Sequence, residues 1–287
     1  MAVRKPDLAG SWYPGSASDC IRAIEEFSRN GISCPDTGRR PIGGIVPHAG
    51  WYYSGKIASG VIRCLSKAPK AETVVVFGRH LHPSSRNYIM KEGSWSTPLG
   101  PLDIDLELAE RLTAEFLFEV ETASRYEPDN TIEIQLPFIK YFLPEVRILP
   151  IGVPPAPIAL KIGERVGELA EELGKSLLVL GSTDLTHYGY NYGFTPRGIG
   201  EKALEWVKNS NDKMIIDRML EMDAEKVIHE SLKNHNACCA GAVAAAITAS
   251  RRLGADHSDL LAYATSYDIR PDSNFVGYAG ILYSSVE

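Results

Sequence analysis

Residues 176–184 read SLLVLGSTD: four consecutive apolar residues, Leu177 to Leu180, then Gly181 and three polar residues ending on Asp184. An unbroken apolar run of this length, without alternation, describes a strand covered on both faces, with its polar residues just beyond the carboxyl end. Runs of the same kind recur as IGGIVPH ending at His48, TVVVFGRH ending at His80, RILPIGV at 147–153, LLAYATSY at 260–267 and VGYAGILYS at 276–284. Amphipathic helix candidates lie between them, at 19–30, 54–67, 106–117, 158–174, a long stretch from about 198 to 232, and 238–254. Strands alternating with helices imply crossover connections and a mostly parallel or mixed sheet flanked by helices, hence an α/β fold. The segment from Arg86 to Pro101 reads as a hairpin beside that sheet. No repeat, low-complexity tract or linker-like shift in composition interrupts the chain, so a single domain over 1–287 is expected.

Composition narrows the function. Of 287 residues, 44% are hydrophobic and 23% charged, enough for a sizeable core. A formal net charge of −6 lacks the basic face that a nucleic-acid binder needs, so no nucleic-acid partner is expected. MAVRKPDLAG is followed by SWYPGSASDC rather than by the apolar run of an export signal, and no stretch is long and apolar enough to span a bilayer. Five cysteines are an odd number, and Cys20, Cys34 and Cys64 are scattered, which does not suggest a disulfide framework. These features predict a cytoplasmic protein with no membrane partner.

The unusual residues fall at strand ends. PHAG follows GGIV, RHLH follows VVVFG, and LLVLG continues as STDLTHYG. Loops beyond the carboxyl ends of strands carry the ligand groups of open α/β sheets, so His48, His80 and Asp184 converge if their strands are parallel neighbours. NHNACCAGA, at 234–242, opens a helix and sets Cys238 and Cys239 near the positive end of its dipole, which favours thiolate. One histidine after a strand is usually a hydrogen-bonded loop residue. Two at equivalent positions, with a cysteine at a helix start and the Asp184-x-x-His187 turn, form a metal-binding pattern. His82, two residues from His80, and Cys238, next to Cys239, read as structural neighbours; His229, His235 and His257 receive no role. Competing motifs are missing: there is no P-loop, no G-x-G-x-x-G after the first strand, no G-x-S-x-G elbow and no C-x-x-C. Ser182, Asp184 and His187 share one short turn and cannot easily form a nucleophile, base and orienter.

The blocks LAGSWYPG, IVPHAGWYYSG, VVVFGRH, NTIEIQLPFI, STDLTHYG, NHNACCAG and FVGYAGILY, in this order, resemble the Memo family, which includes members labelled AmmeMemoRadiSam system protein B. The resemblance covers essentially the whole chain. It implies a fold similar to class III extradiol ring-cleaving dioxygenases, which are non-haem iron enzymes. It also implies metal ligands at His48, His80 and Cys239, with Asp184 and His187 in the pocket. The chain departs from the family in two places: Asn130 stands where many members have histidine, and GRHLHP replaces a Pro and a small polar residue before the ligand histidine.

In those dioxygenases two histidines and one carboxylate leave open positions on Fe(II). A thiolate in place of the carboxylate is softer, favouring copper or zinc while still permitting iron, and adds a redox-active sulfur. The expectation is a metal-dependent oxidoreductase with iron or copper on His48, His80 and Cys239. His187 is its general acid or base, Asp184 orients His187 or lends a fourth ligand, and a small molecule or peptide is the substrate. A different class is a catalytically silent relative whose cleft binds a tyrosine or phosphotyrosine side chain among Trp12, Tyr13, Trp51, Tyr52, Tyr53, Tyr188 and Tyr192, at least half of which core packing would explain. The family label also suggests an accessory role beside a radical S-adenosylmethionine partner protein; this chain has no cysteine triad for an iron–sulfur cluster.

Overall fold

The apolar runs fold as strands, and their order decides what their ends can build. A computed structural model describes residues 2–29 and 31–286. Among these, the strands are β1 (Val3–Arg4), β2 (Arg39–Val46), β3 (Thr73–Gly78), β4 (Asn87–Met90), β5 (Ser94–Thr97) and β6 (Gly100–Asp103), then β7 (Phe118–Glu121), β8 (Arg147–Gly152), β9 (Leu177–Ser182), β10 (His187–Tyr188), β11 (His257–Thr265) and β12 (Phe275–Val286). Nine form one mixed sheet in the order β10-β12-β2-β9-β3-β8-β4-β7, with β11 paired to β12. At its centre β2, β9, β3 and β8 run parallel to one another. β12 pairs antiparallel with β2, and β4 pairs antiparallel with β8. Every residue of β3 and β9 is buried, as unbroken apolar runs require in a sheet covered on both sides. The fold is therefore α/β with a large mixed sheet flanked by helices.

The Trp51–Leu65 helix packs against β2 and β12, while the Pro157–Leu173 and Ala240–Arg252 helices pack together. Ala240–Arg252 is buried along almost its whole length, and small residues allow the close approach. A side chain at Gly163 would come within 2.4 Å of the Ala245 carbonyl oxygen. One at Gly241 would come within 2.4 Å of the Pro154 backbone, so the start of the Ala240–Arg252 helix lies directly against the chain leaving β8.

Three sequence expectations change in detail. Only β5 and β6 of the 86–101 region form a hairpin, in a separate three-stranded sheet with β1, whereas β4 joins the main sheet. The long helical stretch after residue 198 divides into the Glu201–Trp206, Asp212–Leu220 and Ala224–Asn234 helices, with a π turn at Val207–Asn211 between the first two. Cys34 and Cys64 form a disulfide, contrary to the expectation of unpaired cysteines. Cys64 lies near the end of the Trp51–Leu65 helix, and the chain before β2 folds back against that end, a proximity that a separation of 30 residues does not reveal. The disulfide removes the support that scattered thiols lent to a reducing compartment. No helix among the described residues is long and apolar enough to cross a membrane.

Candidate metal centre

Because β9 lies between β2 and β3 in a parallel array, the three polar strand ends meet. His48 follows β2, His80 follows β3 and Asp184 follows β9; the fourth contribution comes from Cys239, the N-cap of the Ala240–Arg252 helix. One donor atom from each of His48, His80, Cys238 and Cys239 lies within 4.8 Å of the others. His48 Nε2 is 3.2 Å from Cys238 Sγ, His80 Nδ1 is 3.5 Å from Cys239 Sγ, and the two sulfurs are 3.8 Å apart. The imidazoles meet edge to face with centroids 4.8 Å apart.

Local hydrogen bonds hold this arrangement. The backbone N–H of His48 donates to Asp184 Oδ1 at 2.7 Å, tying the β2 end to the β9 end. Asn130 Nδ2 donates to the His48 carbonyl and Gln135 Nε2 to that of Pro47, so the NTIEIQ segment clamps the same loop. Glu133, on that segment, accepts from the backbone N–H groups of Asp7 and Leu8 and from the Tyr13 hydroxyl, anchoring the N-terminal loop. The helix start is joined to the strand end three times: Cys238 N–H donates to the Asp184 carbonyl, Cys239 N–H to Thr183 Oγ1, and Asp184 N–H to Cys238 Sγ.

His80 is held through its predecessor. Arg79 adopts φ +75°, a left-handed conformation that is costly for a residue with a side chain. Its guanidinium is buried against Glu121, Glu127 and Asp129 and lies over the Tyr88 ring. Its backbone N–H donates to Thr131 Oγ1 at 2.7 Å. These contacts fix the Arg79 backbone and side chain and so direct the next residue into the cleft.

Electrostatics favour a cation here. Burial opposes charge on the His48 imidazole, but Asp184 and Cys238 beside it outweigh that effect and lift its pKa to about 9. Burial pushes the Asp184 carboxyl up, partly countered by His48 and His187. Burial also opposes ionisation of both thiols. Hydrogen bonding from Cys239 and the neighbouring His48 make Cys238 the first to ionise, and its charge then holds Cys239 up. Two imidazoles and two thiols facing one point form a donor set that suits a transition metal.

The cleft above the cluster has a volume of about 600 Å³. Its floor includes His48, His80 and Asp184, while Asn130, His187, Tyr53 and Tyr192 contribute to the walls. The His187 ring stands edge-on to Tyr192, with centroids 5.1 Å apart. Of the aromatic residues singled out in the sequence, Tyr13, Trp51 and Tyr188 are buried, with Trp51 stacked on Phe138, whereas Trp12, Tyr52, Tyr53 and Tyr192 line the cleft. His82 is exposed and hydrogen-bonds Ser84. Ser182 faces His48 rather than His187. Two residues carry more than their sequence context suggested. Cys238 reaches the cluster instead of standing beside it. Ser182 orients a ring, and only its position two residues before Asp184 pointed to it.

A mixed α/β sheet with a His/Cys cluster over the carboxyl ends of its parallel strands defines the class: a protein whose cleft is built around potential metal donors. The Memo-like protein family matches residues 4–282, and the chain belongs to that family. A MEMO1 family protein of Pyrococcus abyssi is 35% identical over 98% of this chain and 99% of its own length. One of Methanosarcina acetivorans is also 35% identical, with 98% and 99% covered. The crystal structure of an uncharacterized protein from Escherichia coli K12 is similar at a TM-score of 0.48 and 12% identity, covering 84% of this chain and 99% of that one.

Proposed function

We propose that the protein is a metal-dependent oxidoreductase whose redox-active ion, iron or copper, is held by His48 and His80, which line the cleft, and by the buried Cys239 beside them. The observation that carries this reading is the convergence of imidazole and thiol donors within 4.8 Å beneath a cavity large enough for a small aromatic substrate. A bound iron or copper would supply Lewis-acid and electron-transfer chemistry there. The chain's own residues do the rest. Trp12, Tyr52, Tyr53 and Tyr192 offer flat faces for an aromatic ring. His187, on the cleft wall, moves a proton to or from the substrate. Asp184 also holds the PHAG loop in place through the His48 N–H.

Metal analysis of protein purified without oxygen is the first test, followed by oxygen uptake with a panel of catechols. Wild type should carry iron or copper that a His48→Ala, Cys239→Ala variant loses; equal metal in both rules the reading out. A second reading has its own support, since Tyr52 and Tyr192 at the cleft are 69% and 47% exposed, as on a peptide-binding surface. Tyrosine-peptide binding that survives chelation, with no turnover, favours that module.

A further inference from the structure

Resting on the reading that the cleft takes a metal, we infer that Cys238 is a fourth donor, and that the resulting two-imidazole, two-thiolate set narrows the proposed iron or copper to copper, as copper(I), over iron(II), with zinc(II) a redox-silent probe of the same donors. The resemblance to extradiol enzymes implies three protein ligands. The geometry here supplies four. Bonds of about 2.3 Å to sulfur and about 2.0 Å to nitrogen at tetrahedral angles give edges of about 3.8 Å between two sulfurs and about 3.5 Å between sulfur and nitrogen. The sulfurs of Cys238 and Cys239 are 3.8 Å apart, and the sulfur-to-imidazole contacts are 3.2 and 3.5 Å. These three of the six edges match that tetrahedron to within a few tenths of an ångström, and the others, none longer than 4.8 Å, close further on binding.

Cys238 is also held as a ligand would be. Its sulfur accepts the Asp184 backbone N–H at 3.3 Å, and its own N–H donates to the Asp184 carbonyl at 3.1 Å, so the side chain is pinned toward His48 rather than left free to turn away. An N–H donor to sulfur stabilises thiolate over thiol, as an outer partner of a metal ligand does. The tautomer of His48 agrees. Ser182 donates its one hydroxyl proton to the Thr131 carbonyl at 2.6 Å, so its oxygen accepts from His48 Nδ1–H at 3.0 Å, and Nε2, the atom that faces Cys238, is the nitrogen that binds a cation once its proton leaves. Binding releases to solvent the protons still carried by the thiols and by His48 Nε2, and forms two metal–sulfur bonds without any change in oxidation state. A set of two sulfurs and two nitrogens selects zinc or copper(I), whereas non-haem Fe(II) oxygenase sites use two histidines and a carboxylate with positions left open.

X-ray absorption on wild-type protein loaded anaerobically with zinc, and separately with copper(I), counts the sulfurs directly and needs no variant to fold. Two sulfurs per metal are expected with both ions; two with zinc and fewer with copper(I) overturns the choice of copper. One sulfur overturns the inference while leaving a three-ligand metal site intact; no sulfur with either ion overturns the underlying metal reading as well. Cobalt(II)-loaded protein supplies the residue assignment: Cys238→Ser and Cys239→Ser should each lose about half of the thiolate-to-cobalt absorption of wild type. Full intensity in Cys238→Ser, or tighter binding of iron(II) than of zinc by wild type, overturns the inference.

Discussion

Ser182 Oγ lies 3.0 Å from His48 Nδ1 and already donates its proton to Thr131, so it can only accept from the ring. One hydroxyl thus fixes both the orientation and the tautomer of the most buried imidazole in the cleft. Removing it in Ser182→Ala should weaken metal binding about 10- to 100-fold, as loss of a partner behind a metal ligand does. Stability should fall by about 1–3 kcal/mol, because a buried N–H loses its acceptor. Competition with a coloured chelator and urea unfolding measure the two effects; unchanged affinity would exclude the orienting role.

His187 is placed on the cleft wall by β10, outside the group of four donors. His187→Gln should therefore keep the wild-type metal content while reducing turnover of any catechol that wild type oxidises by about 10²- to 10⁴-fold. Metal analysis alongside oxygen uptake separates the roles, since parallel loss of metal would make His187 a ligand instead.

Asp212 supports the STDLTHY turn from beneath. The π turn at Val207–Asn211 brings Asp212 inward, where it accepts from the Thr186 N–H and hydroxyl and from the Tyr263 hydroxyl. Burial, only partly offset by these hydrogen bonds, raises its pKa from 3.8 to about 6. The folded protein therefore holds this proton more tightly than the unfolded chain. The resulting stabilisation is fully present below about pH 4 and is lost as pH rises through about 6, a change of roughly 3 kcal/mol. The stability of wild type relative to Asp212→Asn should thus decline by that order between pH 4 and pH 7, as followed by urea unfolding. A pH-independent difference would contradict the raised pKa.

With Cys34 and Cys64 joined, Cys20, Cys238 and Cys239 are the free cysteines. Thiol titration in denaturant should find three reactive groups before reduction and five after it. Closing a loop across 30 residues restrains the unfolded chain, so a Cys34→Ser, Cys64→Ser variant should lose about 2–4 kcal/mol of stability. Five thiols in unreduced protein would show that the bridge does not form.

Much of this molecule was legible in its residues. Unbroken apolar runs such as LLVL mark buried strands because burial on both faces leaves no place for alternation, and β3 and β9 are buried throughout. The histidines and aspartate at strand ends stood out because a polar residue that closes an apolar run needs partners, and His48 and Asp184, both buried, hydrogen-bond each other. Strand order is a different kind of information. Only the tertiary structure sets β9 between β2 and β3, and that adjacency brings Asp184 and Ser182 against His48. Sequence could not pair Cys34 with Cys64, because their proximity depends on how a connecting segment folds back on a helix end.

The same limit applied to the vicinal cysteines. Neighbouring residues in a regular strand point to opposite faces, so adjacency alone gave no reason to put both sulfurs in one site. At this helix start the backbone turns, with Cys239 at φ −128° and ψ 52°, and backbone hydrogen bonds to Thr183 and Asp184 aim both side chains at the imidazoles. The kinds of donor were determined by the sequence itself. Their number and direction were decided by the tertiary structure, because only packing of the helix start against the strand end fixes where two adjacent side chains point.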